Sequence, residues 1–387
     1  MKKIKEILLV TVIILNVFIF SGCWDYTQID KLEIVAGIAI DKNENTNEYI
    51  LTTEVLEPIL GARENQLLSK VIQIEGKSLF DSIRNTISKT SKRLYFSHTK
   101  VVIISKKIAQ TEILPIIDII NRDAELRGDM KILISKEDTA GEILNNLYKK
   151  ETNIISYDID KAFTARKSLS KYPEIDVWGF VEELMADGMA PIVPGIQNEV
   201  KDGIPGFKVD GSYAFKRDKS VGCLDGRETK SALWLRDDIK SGAIVVQSDI
   251  DGETYKNTLE IFNNKTQIKP IKKNGKIALE INIELDSGIV ELDSEKNFID
   301  KKKREILKMD AEKLIKRDIE RVIDKAQIEF ESDIFGFSSI INREMPKEWK
   351  KNKKNWEEEF KKLDTNVQVK VNIRNSALIS KPIKIGE

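Results

Sequence analysis

The chain has few of the side chains that most often carry chemistry in enzymes. Its 387 residues include two cysteines, Cys23 and Cys223, and a single histidine, His98. One histidine excludes a zinc site built from several histidines and leaves almost no material for a Ser-His-Asp triad. Two cysteines are also too few for a disulfide scaffold. Catalysis would therefore have to rest on carboxylates.

The acidic side chains are numerous, but they form no catalytic pattern. The segment NRDAELRGD places Asp123 and Glu125 beside Arg122 and Arg127, and such mixed charge is typical of a salt-bridged surface turn. His98 stands just before an apolar strand, where we expect a structural role. Motifs for nucleotide binding, metalloprotease activity and serine hydrolysis are absent from the sequence. We predict that the protein is not an enzyme and holds no metal or cofactor.

The start of the chain has the composition of a secretory leader. Three lysines precede an apolar run over residues 7–20, which is shorter than the roughly 20 residues that a membrane-spanning helix needs. The small residues Ser21 and Gly22 come directly before Cys23. This order resembles the lipobox of bacterial lipoproteins, whose cysteine is lipidated and becomes the mature N-terminus. We predict a signal peptide over residues 1–22 and a membrane anchor at Cys23; the alternative is an uncleaved anchor.

Composition and charge indicate a globular body outside this leader. Hydrophobic residues make up 41% of the chain and charged residues 33%. The 63 basic and 63 acidic residues cancel, so no overall charge favours nucleic acid as a partner. With Cys23 lipidated, Cys223 has no disulfide partner, and we expect it to be a small buried hydrophobic residue.

Strand patterns dominate the beginning of the mature chain. Residues 32–41 and 47–56 have the character of two strands joined by a polar turn. Short apolar strands are predicted at 100–105 and 130–135, and helical patterns lie between and after them. This alternation predicts helices packed on a sheet.

Two of these helices have a clear start signal. Ser78 begins one as a capping box, with Phe80, Ile83 and Ile87 on one face. Thr139 begins the other in the same way, with an acidic residue three positions on.

The second half of the chain predicts a further sheet and a long helix. Glycine and proline near 195–207 indicate a boundary between an N-terminal domain over 23–200 and a C-terminal domain over 207–387. Strands are predicted through 242–292, with an Asn-Gly turn, and a long amphipathic helix is predicted over 300–331. The predicted fold class is α+β: several domains with mixed and antiparallel sheets, and long amphipathic helices in the C-terminal half.

Residues 343–363 predict a helix with two tryptophans on one side and many lysines on the other. The lysine face is either an ordinary solvated surface or, in a tethered protein, a surface that touches anionic lipid headgroups.

Several stretches in order resemble one family, the Ger(x)C spore germination lipoproteins, which are the C subunits of nutrient germinant receptors in spore-forming Firmicutes. The stretches are GCWDYTQIDKLEIVAGIAIDK, GKSLFDSIRNTISKTSKRLYFSHTKVVIIS, INRDAELR, GSYAFKRDKSVGCLDGRETKSALWL, DIFGF and PKEWKKNKKNWEEEF. They are spread over nearly the whole mature chain, and the start Cys23-Trp24-Asp25 before the AGIAID strand is the most specific of them.

The resemblance implies a non-catalytic lipoprotein tethered through Cys23 to the outer face of the spore inner membrane. Its partners would be the A and B membrane subunits of the receptor, in a complex that senses small nutrients. Two alternatives are an extracytoplasmic solute-binding lipoprotein, which needs a ligand cleft between two lobes, and an enzyme of the spore envelope acting through paired carboxylates.

Overall fold

A computed structural model describes residues 3–5, 11, 28–59, 66–147, 154–250, 252–292 and 301–374. The predicted signal peptide and Cys23 lie outside these residues, apart from four leader positions. Among the described helices, none combines the length and the apolar character that crossing a membrane requires.

Within the described residues, nine strands form a first sheet in the order β3-β2-β1-β5-β6-β7-β8-β9, with β4 paired to β1. The strands are β1 Leu32–Lys42, β2 Tyr49–Ile59, β3 Gln66–Gly76, β4 Arg93–Tyr95, β5 Val101–Ile104, β6 Lys131–Ser135, β7 Ile192–Lys201, β8 Ile204–Lys216 and β9 Lys219–Leu224. The central strands β1, β5, β6 and β7 run parallel, and the flanking strands are antiparallel. Parallel strands need cover on both faces, which the helices supply.

The helices of this half pack on both faces of the first sheet. They are α1 Leu79–Thr90, α2 Lys106–Thr111, α3 Leu114–Arg122, α4 Gly141–Leu147, α5 Ile155–Ala165 and α6 Val177–Met185. Buried apolar residues of α1, α2, α3 and α6 form one core with the sheet. Those of α4 and α5 form a second core on the opposite face.

A second sheet follows, with the order β10-β11-β12-β13. Its elements and the surrounding helices are α7 Gly226–Leu235, β10 Gly242–Ile250, β11 Glu253–Lys273, β12 Lys276–Leu292, α8 Lys301–Lys325, α9 Phe337–Glu344, α10 Pro346–Asn352, α11 Trp356–Lys361 and β13 Asp364–Arg374. The apolar stripe of α8 is buried in one core with this sheet and with α7. The α+β fold with mixed sheets and a long amphipathic C-terminal helix is thus confirmed.

Several local predictions from the sequence are confirmed. The long helix is α8, which continues as a π-helical turn over Ala326–Phe330. Asn274 and Gly275 both have positive φ, as a type I′ hairpin turn between β11 and β12 requires. Ser78 accepts a hydrogen bond from the Asp81 N–H at the start of α1.

Two local predictions are wrong. Phe80 and Ile87 lie on the exposed side of α1, and the buried side is formed by Leu79 and Ile83 together with small polar residues. The helix predicted over 343–363 is divided into the end of α9, α10, a 3₁₀ turn and α11. Both tryptophans of this segment are buried in the core, as their shared face predicts.

The segment near 195–207 is part of the first sheet. β7 ends at Lys201, and Asp202 and Gly203 form a tight turn with positive φ that leads into β8. The sheet therefore continues to Leu224. The division into domains over 23–200 and 207–387 stays a prediction.

Two buried carboxylates join the strands to distant helices. Asp41 at the end of β1 accepts hydrogen bonds from the N–H groups of Ala140 and Gly141 at the start of α4, at 2.6 and 2.8 Å. Glu54 in β2 is fully buried and accepts from the N–H groups of Ile155 and Ser156 at the start of α5, at 2.9 and 2.8 Å. Each carboxylate satisfies N–H groups that a helix start leaves without intrahelical partners.

Replacement of Glu54 by Gln should destabilise the fold. The amide keeps the size of the side chain but replaces one acceptor oxygen by an NH₂ group, which is a donor. One of the buried N–H groups at the start of α5 then faces a donor and loses its hydrogen bond. We expect a loss of about 1–3 kcal/mol in the free energy of unfolding, measured by urea denaturation. Glu57→Gln is the matched control, because this exposed residue of the same strand forms a surface ion pair with Lys70. Its loss should stay within about 0.5 kcal/mol. Equal effects of the two changes would contradict this account of Glu54.

Candidate functional site

The region between the two sheets combines buried charged contacts with a cavity. Arg236, which follows α7, is largely buried and contacts three other segments. Its guanidinium donates to the Glu183 carboxylate of α6 at 2.8 Å and to the carbonyls of Ala190 and Ile334 at 3.1 and 2.7 Å. One side chain thus connects α6, the start of β7 and the segment before α9. We call this region the junction.

A second arginine makes a parallel connection. Arg166, just after α5, donates to both carboxylate oxygens of Asp238 at 3.1 and 2.9 Å. Glu174 lies 3.7 Å from the same guanidinium, and the Tyr172 carbonyl accepts from it at 3.4 Å. Both hydrogen bonds come from one guanidinium nitrogen, and they are charge-assisted, so this part-buried pair links α5 to the segment after α7.

Asp333 organises the segment DIFGF on the other side of the junction. Its carboxylate accepts from the N–H groups of Phe335, Gly336, Phe337 and Ser338 at 2.7–3.2 Å. Burial raises the pKa of Asp333, and the N–H groups of Ser338, Phe337 and Phe335 oppose that shift. The Asp333 carbonyl also accepts from the Ala190 N–H at 3.0 Å, which joins this segment to the start of β7.

A cavity of about 540 Å³ lies at the junction. Its wall includes Glu174 and Glu183 from the first half of the chain, and Asp237, Thr266 and Arg343 from the second. The Glu183 Oε2 and Thr266 Oγ1 atoms are buried and make no hydrogen bond within the protein. The volume is in the range of small-molecule sites. The arrangement can hold two parts of the chain together and can enclose a small polar molecule.

The residues that the sequence singled out for possible chemistry do not come together at the junction. Cys23 lies outside the described residues. Cys223 is exposed on β9, so its predicted burial is wrong: it points outward on an edge strand of the first sheet. His98 is exposed, and its ring centroid lies 6.3 Å from that of Tyr95.

The charged turn NRDAELRGD is salt-bridged, as predicted. Arg127 pairs with Asp129, and Glu125 pairs with Arg93. In the described part of the chain, no three side chains among His, Cys, Asp and Glu come close enough to hold a metal ion.

Sequence reasoning did not find the residues that organise the junction. Arg236, Glu183 and Arg166 stand in ordinary mixed-charge helical segments, and nothing in their spacing indicates burial. Asp333 had one indirect signal, because DIFGF belongs to the stretches that resemble the family. The capping box at the start of α7, formed by Asp225 and Glu228, was readable but was not identified.

Comparison with known proteins gives the family. The family model "Spore germination protein N-terminal domain" matches residues 25–198, and "Spore germination B3/ GerAC like, C-terminal" matches residues 210–377. These two matches cover most of the chain, which therefore belongs to the GerAC family of spore germination proteins. The resemblance stated from the sequence is confirmed.

Individual relatives align over almost their full length. Spore germination protein KC of Bacillus subtilis (strain 168) is 26% identical, and the match covers 98% of each chain. Spore germination protein B3 of the same organism is also 26% identical, with 93% of this chain and 95% of the relative covered. The crystal structure of the GerBC protein has the same fold, with a TM-score of 0.54, 24% identity, and coverage of 88% of this chain and 97% of that one.

Lys230 in α7 should make stability depend on pH. It is buried, donates to the Ala243 carbonyl at 2.8 Å, and has its pKa lowered to about 8, first by burial and then by the charge of Lys171. Between about pH 8 and 10.5 the unfolded chain keeps this proton while the folded chain releases it, so stability rises with pH by at most about 1.4 kcal/mol per unit.

The measurement is urea unfolding of the parent and of Lys230→Met from pH 7 to 10.5. Above pH 8, the unfolding free energy of the parent should rise relative to that of Lys230→Met. Lys240→Met serves as a control at an exposed lysine. A difference that stays constant over this range would contradict the lowered pKa.

Proposed function

We propose that this chain is the lipid-anchored C subunit of a nutrient germinant receptor, acting in nutrient-triggered spore germination at the outer face of the spore inner membrane. In this proposal it is a non-catalytic assembly and signalling module that works with the A and B membrane subunits. The observation that carries the proposal is the match of both family models in order, together with full-length alignment to germination proteins KC and B3.

The anchor has a physical role in this proposal. A lipidated Cys23 carrying two or more acyl chains would be held stably, whereas one chain gives only marginal binding. Confinement to a layer next to the membrane raises the effective concentration of the chain around its membrane partners. Contacts of modest affinity are then sufficient for assembly. This suits a protein whose buried charged side chains mainly bind other segments of the same chain.

Cys23→Ala should separate anchoring from folding. We expect the variant to leave the spore membrane fraction, to lose the mass of the lipid, and to respond weakly to single nutrients. Spores that lack the gene should fail with the same nutrients yet still germinate with a non-nutrient trigger. Cys223→Ser is the matched control, since it removes the other, exposed thiol and should leave both localisation and response unchanged. A normal nutrient response of the deletion strain would argue against the receptor role.

The junction cavity favours one other function, capture of a solute by this chain itself. It lies between two halves and has buried polar atoms in its wall, as a solute-binding lipoprotein would need. The charges best placed to hold a ligand are already paired, however, Arg236 with Glu183 and Arg166 with Asp238. Those pairs fit a structural junction better than a vacant binding site.

Calorimetry of the mature chain with single amino acids and sugars tests this alternative. We expect no saturable heat in the absence of the other subunits, because a ligand would have to displace existing ion pairs. Saturable heat that Thr266→Val weakens, and that the exposed-surface change Thr254→Val leaves intact, would favour solute capture instead.

A further inference from the structure

One edge of the first sheet is defined by where its parallel strands begin. Gly37 of β1, Val101 of β5 and Lys131 of β6 are in register, so the chain enters β1, β5 and β6 at the same edge. The segment before β1 is a short 3₁₀ turn over Ile29–Lys31. This edge is therefore the one at which the mature chain reaches the fold.

Large apolar and aromatic side chains are exposed along this edge. Ile29 is 76% exposed and Trp178 is 62% exposed, and Leu67 and Tyr95 are also exposed. Leu67 belongs here because it pairs with Pro58 at the end of β2, which runs antiparallel to β1. Tyr95 pairs with Ile34 near the start of β1. We call these four residues and the surface around them the tether edge.

Trp178 is held in place despite its exposure. Its backbone N–H donates to the Gly128 carbonyl at 2.9 Å, just before β6. Its indole ring lies against Gly128, where a Cβ atom would overlap the ring. The ring is thus packed on backbone and presents its other face to solvent. An aromatic side chain that is fixed and half solvated is suited to the boundary between water and lipid.

Several acidic groups of the tether edge lie beside cations. Glu33 is buried beside Lys70 and Lys92, and Glu125 and Asp129 are paired with arginines. Asp30 is exposed on the turn before β1 and is followed by Lys31. The edge therefore carries charges of both signs among its exposed apolar side chains. Contact with a membrane would rest on apolar burial more than on attraction to anionic headgroups.

The length of the predicted tether limits how far this edge can be from the bilayer. Ile29 follows Cys23 by only six residues, and six extended residues span at most about 21 Å. The opposite edge, where β1 approaches its end, is farther by about 25 Å, given the rise along the eight residues from Leu32 to Ile40. The anchor thus favours the tether edge over every surface at the far end of the strands.

We infer that the tether edge rests on the lipid surface, with Ile29, Leu67, Tyr95 and Trp178 in the interfacial layer. This inference rests on the proposed lipid attachment at Cys23. It fixes the orientation of the chain, and the turn where β7 ends and β8 begins then faces away from the membrane.

The test uses the full lipidated chain in vesicles of zwitterionic phosphatidylcholine, in a Cys223→Ser background with single cysteines for an environment-sensitive fluorophore. Leu67→Cys and Tyr95→Cys report on the tether edge. Val200→Cys on the opposite edge and Val245→Cys on the second sheet are matched controls, since both residues are exposed and apolar. Quenching is measured with a lipid that carries a spin label near its headgroup.

We expect a blue shift and at least roughly twofold stronger quenching at 67 and 95 than at 200 and 245, because interfacial side chains lie about 5–10 Å into the headgroup boundary. Equal quenching at all four positions, or stronger quenching at 200 or 245, overturns the orientation. Flotation and the mass of the N-terminal peptide separately report the anchor. If the chain neither floats nor carries lipid at Cys23, the proposed anchor fails first, and the orientation fails with it.

Discussion

The fold depends on carboxylates that are buried in the first sheet and bound to helix starts. Asp41 and Glu54 lie on the neighbouring strands β1 and β2, and each accepts two N–H groups from a helix about a hundred residues later. The close approach of α5 also needs Gly37, since a Cβ atom there would overlap Ser156. These contacts fix α4 and α5 on one face of the sheet and so leave the other face for α1, α2, α3 and α6.

Buried charged side chains that bind backbone groups are also found where the two sheets meet. Asp333 binds four successive N–H groups, and Arg236 binds carbonyls of two separate segments. In both cases backbone dipoles help to satisfy a buried charge, and Arg236 is also paired with Glu183. Such contacts cost desolvation, so their value is in fixing one arrangement of the segments more than in adding net stability.

The sequence predicted those features whose causes are local. The Asn274-Gly275 turn, the cap at Ser78 and the apolar stripe of α8 each depend on residues within a few positions, and each was found. The buried carboxylates were not, because an acid at the end or in the middle of a strand normally faces water, and its partner lies a hundred residues away. The predictions for the burial of Cys223 and for the buried side of α1 were wrong for the same reason: the neighbours in the sheet decide which face is buried. Among the segments of the junction, only DIFGF could be singled out from the sequence, because it is one of the stretches that resemble the family.

The contacts between the two halves of the chain are concentrated where β7 begins. Ala190, just before this strand, is bound by Arg236 and by the Asp333 carbonyl. The helices α10 and α11 join the same end, since the Trp356 indole N–H donates to the Gly188 carbonyl and Lys353 pairs with Asp187. The other end of β7 closes in an exposed two-residue turn. One end of the strand is therefore fixed by contacts with the second half, and the other is free to vary in sequence without disturbing the junction.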